Sequence, residues 1–188
     1  MLEQELCERQ LTSKEIFDGR ILHVYDDTVS LPNGKSASRE YLRHIGAVCI
    51  IPLLHNGDVL VERQYRYPVG QVLTEIPAGK LDSRDEDHLL AAQRELREET
   101  GAVADSWQSL GVFYPACAYS DEAIEMFLAR DITFTACDRD EDEFLNVARV
   151  PLERLYADVM AGKIPDAKTQ IAVLKAYLLQ QQSLKQEE

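Results

Sequence analysis

Apolar and polar positions along the chain predict many short strands and few helices. "GRILHVYDDTVSLPNGKSASREYLRH" holds two extended runs around a "PNG" turn, the pattern of a β-hairpin. "GAVCIIPLL" is a continuous apolar run of strand length, as a buried strand requires. "HNG" turns it into "DVLVERQYRY", and "QVLTEIPAG" follows. A helical period then runs over roughly residues 86 to 100, with Leu89, Ala92 and Leu96 as its apolar stripe and Leu90 beside them. Two further strand candidates, "SLGVFYP" and "AIEMFLARDI", flank "ACAYSDE". An acidic loop, "CDRDEDEF", leads to a short strand, "LNVARV". The end is helical: "PLERLYADVMAG" stops at Gly162, and "DAKTQIAVLKAYLLQQQSLK" forms a long amphipathic helix. Strands with few, unevenly placed helices predict a mixed α/β sandwich rather than regular βαβ alternation. Residues 1–45 form an N-terminal β-rich piece and residues 46–188 the main domain.

The first helix carries an anomaly. Glu95, Glu98 and Glu99 fall at i, i+3 and i+4 and share one face, just before the stop signal at Gly101. Acids suit a helix N-terminus, where Asp85, Glu86 and Asp87 stand, and not its C-terminal turns. Like-charge repulsion and the macrodipole together cost about 1–3 kcal/mol here. That is a sizeable share of a domain stability of about 5–15 kcal/mol. Arg94 and Arg97 offset part of it. A solvated acidic face is the plain reading. The sharper one is a site for a hard divalent cation, Mg²⁺ or Mn²⁺, whose preferred ligands are oxygens and whose charge would reverse the sign of the penalty.

Composition narrows the function. The 188 residues suffice for one domain with a real core and an appended subdomain. A net charge of −13 argues against a nucleic-acid or anionic-membrane partner. It also means that an anionic substrate needs metal ions or local arginines. Cys7, Cys49, Cys117 and Cys137 are scattered with no C-x-x-C, which suits reduced thiols in a cytoplasmic protein rather than a disulfide framework or zinc site. "MLEQELCERQ" is charged and lacks an apolar signal region, and no apolar run approaches membrane-span length.

"PAGKLDSRDEDHLLAAQRELREETGA" resembles the Nudix box, whose pattern runs Gly, five residues, Glu, seven residues, Arg-Glu, an apolar residue, one residue, Glu-Glu, one residue, Gly and an apolar residue. Gly79, Glu86, Arg94, Glu95, Leu96, Glu98, Glu99, Gly101 and Ala102 supply it. Six residues separate Gly79 from Glu86, so either the loop carries one extra residue or Asp85 takes the register of the first acid. "REYLRHIGAVCIIPL", "VLVERQYRYPVGQVLTEIPAG" and "YSDE" extend the resemblance to the ADP-ribose pyrophosphatase, or nucleoside-diphosphate-sugar, branch of Nudix hydrolases. The C-terminal "VPLERLYADVMAGKIPDAKTQIAVLKAYL" does so too, so coverage runs from about residue 17 to residue 179.

That resemblance implies an α/β/α sandwich with a mixed sheet and an N-terminal antiparallel β-subdomain. It also implies a homodimer that binds substrate across its two subunits. Glu95 and Glu99 would be the main metal ligands, with Glu98 close by and the Ala78 carbonyl contributing. Arg94 would orient a glutamate, and Gly79, Glu86 and Gly101 would be structural members of the box. Glu141, in the acidic loop, would be the base and Glu143 a further metal-side carboxylate. Arg66 matches a position that contacts phosphate or terminal ribose, and Arg39 one that approaches the nucleobase. Glu75 matches a position near substrate and equally suits a buried structural acid; Arg63 lines a strand face.

The implied reaction is Mg²⁺-dependent hydrolysis of the pyrophosphate of a nucleoside diphosphate sugar, ADP-ribose giving AMP and ribose 5-phosphate. "PACAYSDE" departs from the usual "PG-aromatic-SDE", with Cys117 at the aligned position and Pro115 two residues earlier. GDP-mannose, other nucleotide sugars and dinucleotides therefore stay open as substrates. Binding without catalysis is a separate class, favoured by loss of box glutamates; all three are present.

Overall fold

A computed structural model describes residues 5–135 and 144–185. The chain divides into two compact units, Met1–Ile45 with Tyr114–Ala123, and Gly46–Phe113 with Ile124–Glu188.

The first unit is built on an antiparallel sheet of β1 (Arg9–Asp18), β2 (His23–Ser30) and β3 (Ser36–Arg43), in that order. The expected hairpin is β2–β3: Gly34 takes φ 79°, and Leu31 and Lys35 close the turn through a 2.7 Å backbone bond. Strand β1 is an addition that the sequence pattern hid. It pairs with β2 from Arg9↔Ser30 to Asp18↔His23, with irregularities at Gln10/Thr12 and Glu15/Phe17. Every residue of β1 is exposed, so no buried face imposes a period of two on "RQLTSKEIFD". Tyr114–Ala123 joins this unit because Leu42 N–H donates to Tyr119 O, Asp121 N–H donates to Leu42 O and His44 N–H donates to the Asp121 carboxylate. Of the apolar residues in this unit, Val29 is buried, whereas Ile21 is exposed together with Leu11, Ile16, Phe17 and Leu22.

The second unit holds two sheets. One has the order β7-β4-β9-β8, from β7 (Ala78–Lys80), β4 (Ala47–Pro52), β9 (Ile124–Phe134) and β8 (Ala102–Phe113). It is mixed: β4 and β9 run parallel, and the other pairs antiparallel. The second sheet has the antiparallel order β10-β5-β6, from β10 (Leu145–Pro151), β5 (Asp58–Arg66) and β6 (Gln71–Glu75). Strand β4 is buried throughout, as its continuous apolar run predicts. Its alternate residues serve two faces. Ala47, Cys49 and Ile51 join Ile124, Met126 and Leu128 of β9 in a core with Val59 and Val61, α2 (Leu152–Met160) and α3 (Ala167–Leu184). Val48 and Ile50, of opposite phase, point to the face on which α1 (His88–Thr100) lies. Helices thus cover both faces of a mixed sheet. Among the described residues, no helix is long and apolar enough to cross a membrane.

Candidate functional site

Helix α1 starts at His88, two residues later than its period suggests, because Asp87 is its cap: the Asp87 carboxylate accepts the Leu90 N–H at 3.0 Å. Gly101 ends the helix in the left-handed region at φ 70°, and its N–H donates to Arg97 O at 2.8 Å. The buried stripe is Ala91, Ala92, Leu96 and Glu99; Leu90, expected beside it, is exposed.

The three box glutamates are not equivalent. Glu99 is only 5% exposed and accepts the Ala78 N–H at 3.1 Å. The Glu95 carboxylate lies against Gly79, where an added Cβ would meet its atoms at 1.9–2.2 Å. Both acids therefore sit over β7, which the pairs Cys49↔Ala78 and Val48↔Gly79 fix to β4. Glu98 is the most exposed of the three and lies 3.4 Å from Arg94, on the same Nη1 that holds Glu95, and 3.6 Å from Arg97. Arg94 is the hub of the cluster. It donates to Glu95 at 2.7 Å, to Glu86 at 3.3 Å and to Lys80 O at 3.5 Å, and lies 3.7 Å from Asp82. Burial works against its charge, yet the Glu95, Asp82 and Glu86 carboxylates more than offset this and hold its pKa above the usual arginine value.

A second charged chain lies on β6 and α3. The Glu75 side chain is only 3% exposed, and it accepts two 2.8 Å bonds from Arg66, one from Nε and one from Nη2. Lys168 donates to the same carboxylate and, at 3.1 Å, to Asp166. Burial pushes the Glu75 pKa up, but Arg66 and Lys168 outweigh it and hold the carboxyl below its usual range. Asp166 also caps α3, accepting from Thr169 N at 2.9 Å and Thr169 Oγ1 at 2.6 Å. The Thr169 hydroxyl in turn accepts the Ile76 N–H at 2.9 Å. Lys168 and Asp166 were not singled out from the sequence. One signal stood in "DAKT": a lysine in the first turn of a helix has the wrong sign for the macrodipole, the mirror image of the acids at the end of α1.

Arg39 lies on β3 in the first unit, where both its Nε and Nη2 donate to Glu8 and Nη1 donates to Ser38 O at 2.8 Å. Arg63 is exposed on β5. Glu141 and Glu143 fall outside the described residues.

Residues 43–172 match the family model of the NUDIX domain. The chain belongs to the Nudix family. Residues 8–42 match the nucleoside diphosphate sugar hydrolase N-terminal domain. An ADP-ribose pyrophosphatase of Bacillus subtilis is 36% identical over 90% of this chain and 92% of its own length. A protein of Bacillus methanolicus described as a methanol dehydrogenase activator is also 36% identical, over 95% of this chain and 96% of its own. The crystal structure of an ADP compounds hydrolase superposes with a TM-score of 0.80, covering 93% of this chain and 95% of that one at 23% identity, a likeness of fold. The protein is a Nudix hydrolase similar to ADP-ribose pyrophosphatases.

Within the Nudix box, Glu86 and not Asp85 is the acid that closes on Arg94. Its second oxygen accepts the Asp82 N–H at 2.6 Å, so the extra residue is absorbed in the loop between Gly79 and Glu86. Nudix hydrolases generally use divalent cations, and the donors here fit one in kind. Glu95 and Glu99 are carboxylates held side by side over β7, and the missing Cβ at Gly79 leaves the space that the Glu95 carboxylate occupies. Among the described residues, no three His, Cys, Asp or Glu side chains converge as a ready cage. Glu95 is turned onto Arg94 and Glu99 onto the Ala78 N–H.

Proposed function

We propose that this Nudix hydrolase cleaves the pyrophosphate bond of a nucleoside diphosphate sugar, with Mg²⁺ as cofactor and ADP-ribose as substrate, giving AMP and ribose 5-phosphate. The observation that carries the reading is the placement of Glu95 and Glu99 over Ala78 and Gly79, which the Nudix box assigns to metal. The substrate class is supported by the relatives named ADP-ribose pyrophosphatase and by the N-terminal domain match.

In this reading Glu95, Glu99 and the Ala78 carbonyl would hold the cation, and Glu143, outside the described residues, would be a further metal-side carboxylate. A bound divalent cation supplies positive charge against the pyrophosphate oxygens. Arg94 orients Glu95 through their 2.7 Å pair and keeps the box loop closed through Glu86. Arg66, its guanidinium aligned by Glu75, binds phosphate or the terminal ribose. Arg39 approaches the base, which requires its exchange from Glu8 to the ligand. Glu141 takes the proton of the attacking water, with Glu98 beside the metal ligands. Turnover across a panel of nucleotide sugars and dinucleotides with Mg²⁺, with products identified, tests the substrate. ADP-ribose should give the highest kcat/KM. Tight ADP-ribose binding without any product would replace hydrolysis by a binding function.

The metal set has its own test. Glu99→Gln keeps the side chain's shape and its acceptor for the Ala78 N–H but removes the charge. It should raise the Mg²⁺ requirement, the loss being partly recovered by excess Mg²⁺. Mg²⁺ should also raise the melting temperature of the wild type by linkage, and less so in Glu99→Gln. Wild-type turnover at low Mg²⁺ would remove Glu99 from the ligand set.

The functional unit in this proposal is a homodimer. Leu11, Ile16, Phe17, Ile21 and Leu22 are each at least half exposed within one small unit, apolar surface that a second copy would cover. Light scattering should give twice the chain mass at assay concentration, and a fully active monomer would overturn the assignment.

A further inference from the structure

We infer that Lys168 is a positioning residue for substrate binding, acting through Glu75 to aim and charge Arg66. The inference rests on the reading above, in which Arg66 meets the anionic substrate. Arg66 is the outward end of an alternating chain, Arg66–Glu75–Lys168–Asp166. Arg66 is its one well-exposed member: its side chain is 42% exposed, whereas those of Glu75, Lys168 and Asp166 are 3%, 12% and 16%. The buried end is rigidly mounted, because Asp166 caps α3 and Thr169 ties that cap to Ile76, the residue after Glu75.

Two consequences follow for Arg66. Geometrically, the Glu75 carboxylate is clamped from behind by Lys168, so its two oxygens present a fixed edge to Nε and Nη2. A carboxylate held by Arg66 alone would be free to turn with it. Electrostatically, Glu75 divides its charge between two cations. Without Lys168 it would neutralise Arg66 fully, and an incoming phosphate would meet a spent ion pair. Lys168 itself is turned inward to Glu75 and Asp166 and is not placed to bind the substrate.

Lys168→Met should raise KM for ADP-ribose about tenfold, with kcat changed less than about twofold, the signature of lost binding rather than lost chemistry. Lys168→Arg, which restores a cation, should recover most of the loss. Arg66→Ala and the double variant should have the same KM, because the second substitution has nothing left to aim. The Arg66 Nε–H proton, followed by NMR, should exchange with solvent faster in Lys168→Met than in the wild type. If Lys168→Met does not fold, Lys168→Gln, which keeps a donor for Glu75 without its charge, gives the same comparison. An unchanged KM together with unchanged Nε–H exchange would overturn the inference, as would losses that multiply in the double variant. An Arg66→Ala variant with wild-type KM would instead end the role of Arg66 in substrate binding, and Nε–H exchange would still report whether Lys168 aims it.

Discussion

Gly79→Ala is expected to lower kcat/KM about 100-fold while the protein stays folded, because small misplacements of catalytic groups have costs of that order. The added methyl would fall within 2.2 Å of all three atoms of the Glu95 carboxylate. Gly79 is not among the positive-φ glycines, so alanine meets no backbone strain there. What must move is the far end of a flexible side chain, and the carboxylate can swing off β7 at modest cost. A loss of about 1 kcal/mol would lower Tm by about 2–4 °C in a chain of this size. Activity suffers more, because a displaced Glu95 leaves both the proposed cation position and its pair with Arg94. Thermal melting and Mg²⁺ titration of the variant separate the two effects. Wild-type kcat at the wild-type Mg²⁺ requirement would mean that the Glu95 carboxylate does not work from the place beside Gly79.

Glu141→Gln is expected to lower kcat by about 10²–10⁴ with little change in KM, the usual range for loss of a general base. Added Mg²⁺ should not restore it. Location separates the roles: Glu95 and Glu99 are fixed to α1 and lie over β7, and a base has to meet the water on the substrate's side. Glu143→Gln should behave like the helix variants, with a raised metal requirement. If both loop variants keep kcat within a few-fold of wild type, the base lies elsewhere. Glu98, which lies between Arg94 and Arg97, is then next.

The sequence by itself determined the elements whose cause is local. The continuous apolar run of β4, the hairpin turn at Gly34 and the stop at Gly101 were all legible, because each depends on a few adjacent residues. So was the shared face of the box glutamates, which helical periodicity fixes. Tertiary structure decided what each of them does on that face. Only packing on β7 distinguishes Glu95 and Glu99 from Glu98, and only the close approach of Glu95 explains why residue 79 has no side chain. Glu86 won over Asp85 because its carboxylate reaches Arg94, a matter of loop path rather than spacing. Strand β1 escaped because it is exposed along its whole length, so no buried face writes a period of two into it. The Glu75–Lys168 pair escaped because its partners are 93 residues apart and meet only when α3 docks at the end of β6. Periodicity and capping are short-range and can be read along the chain. Pairing of charges across elements is set by the fold, and the sequence records it only as an oddity: acids at the wrong end of one helix and a lysine at the wrong end of another.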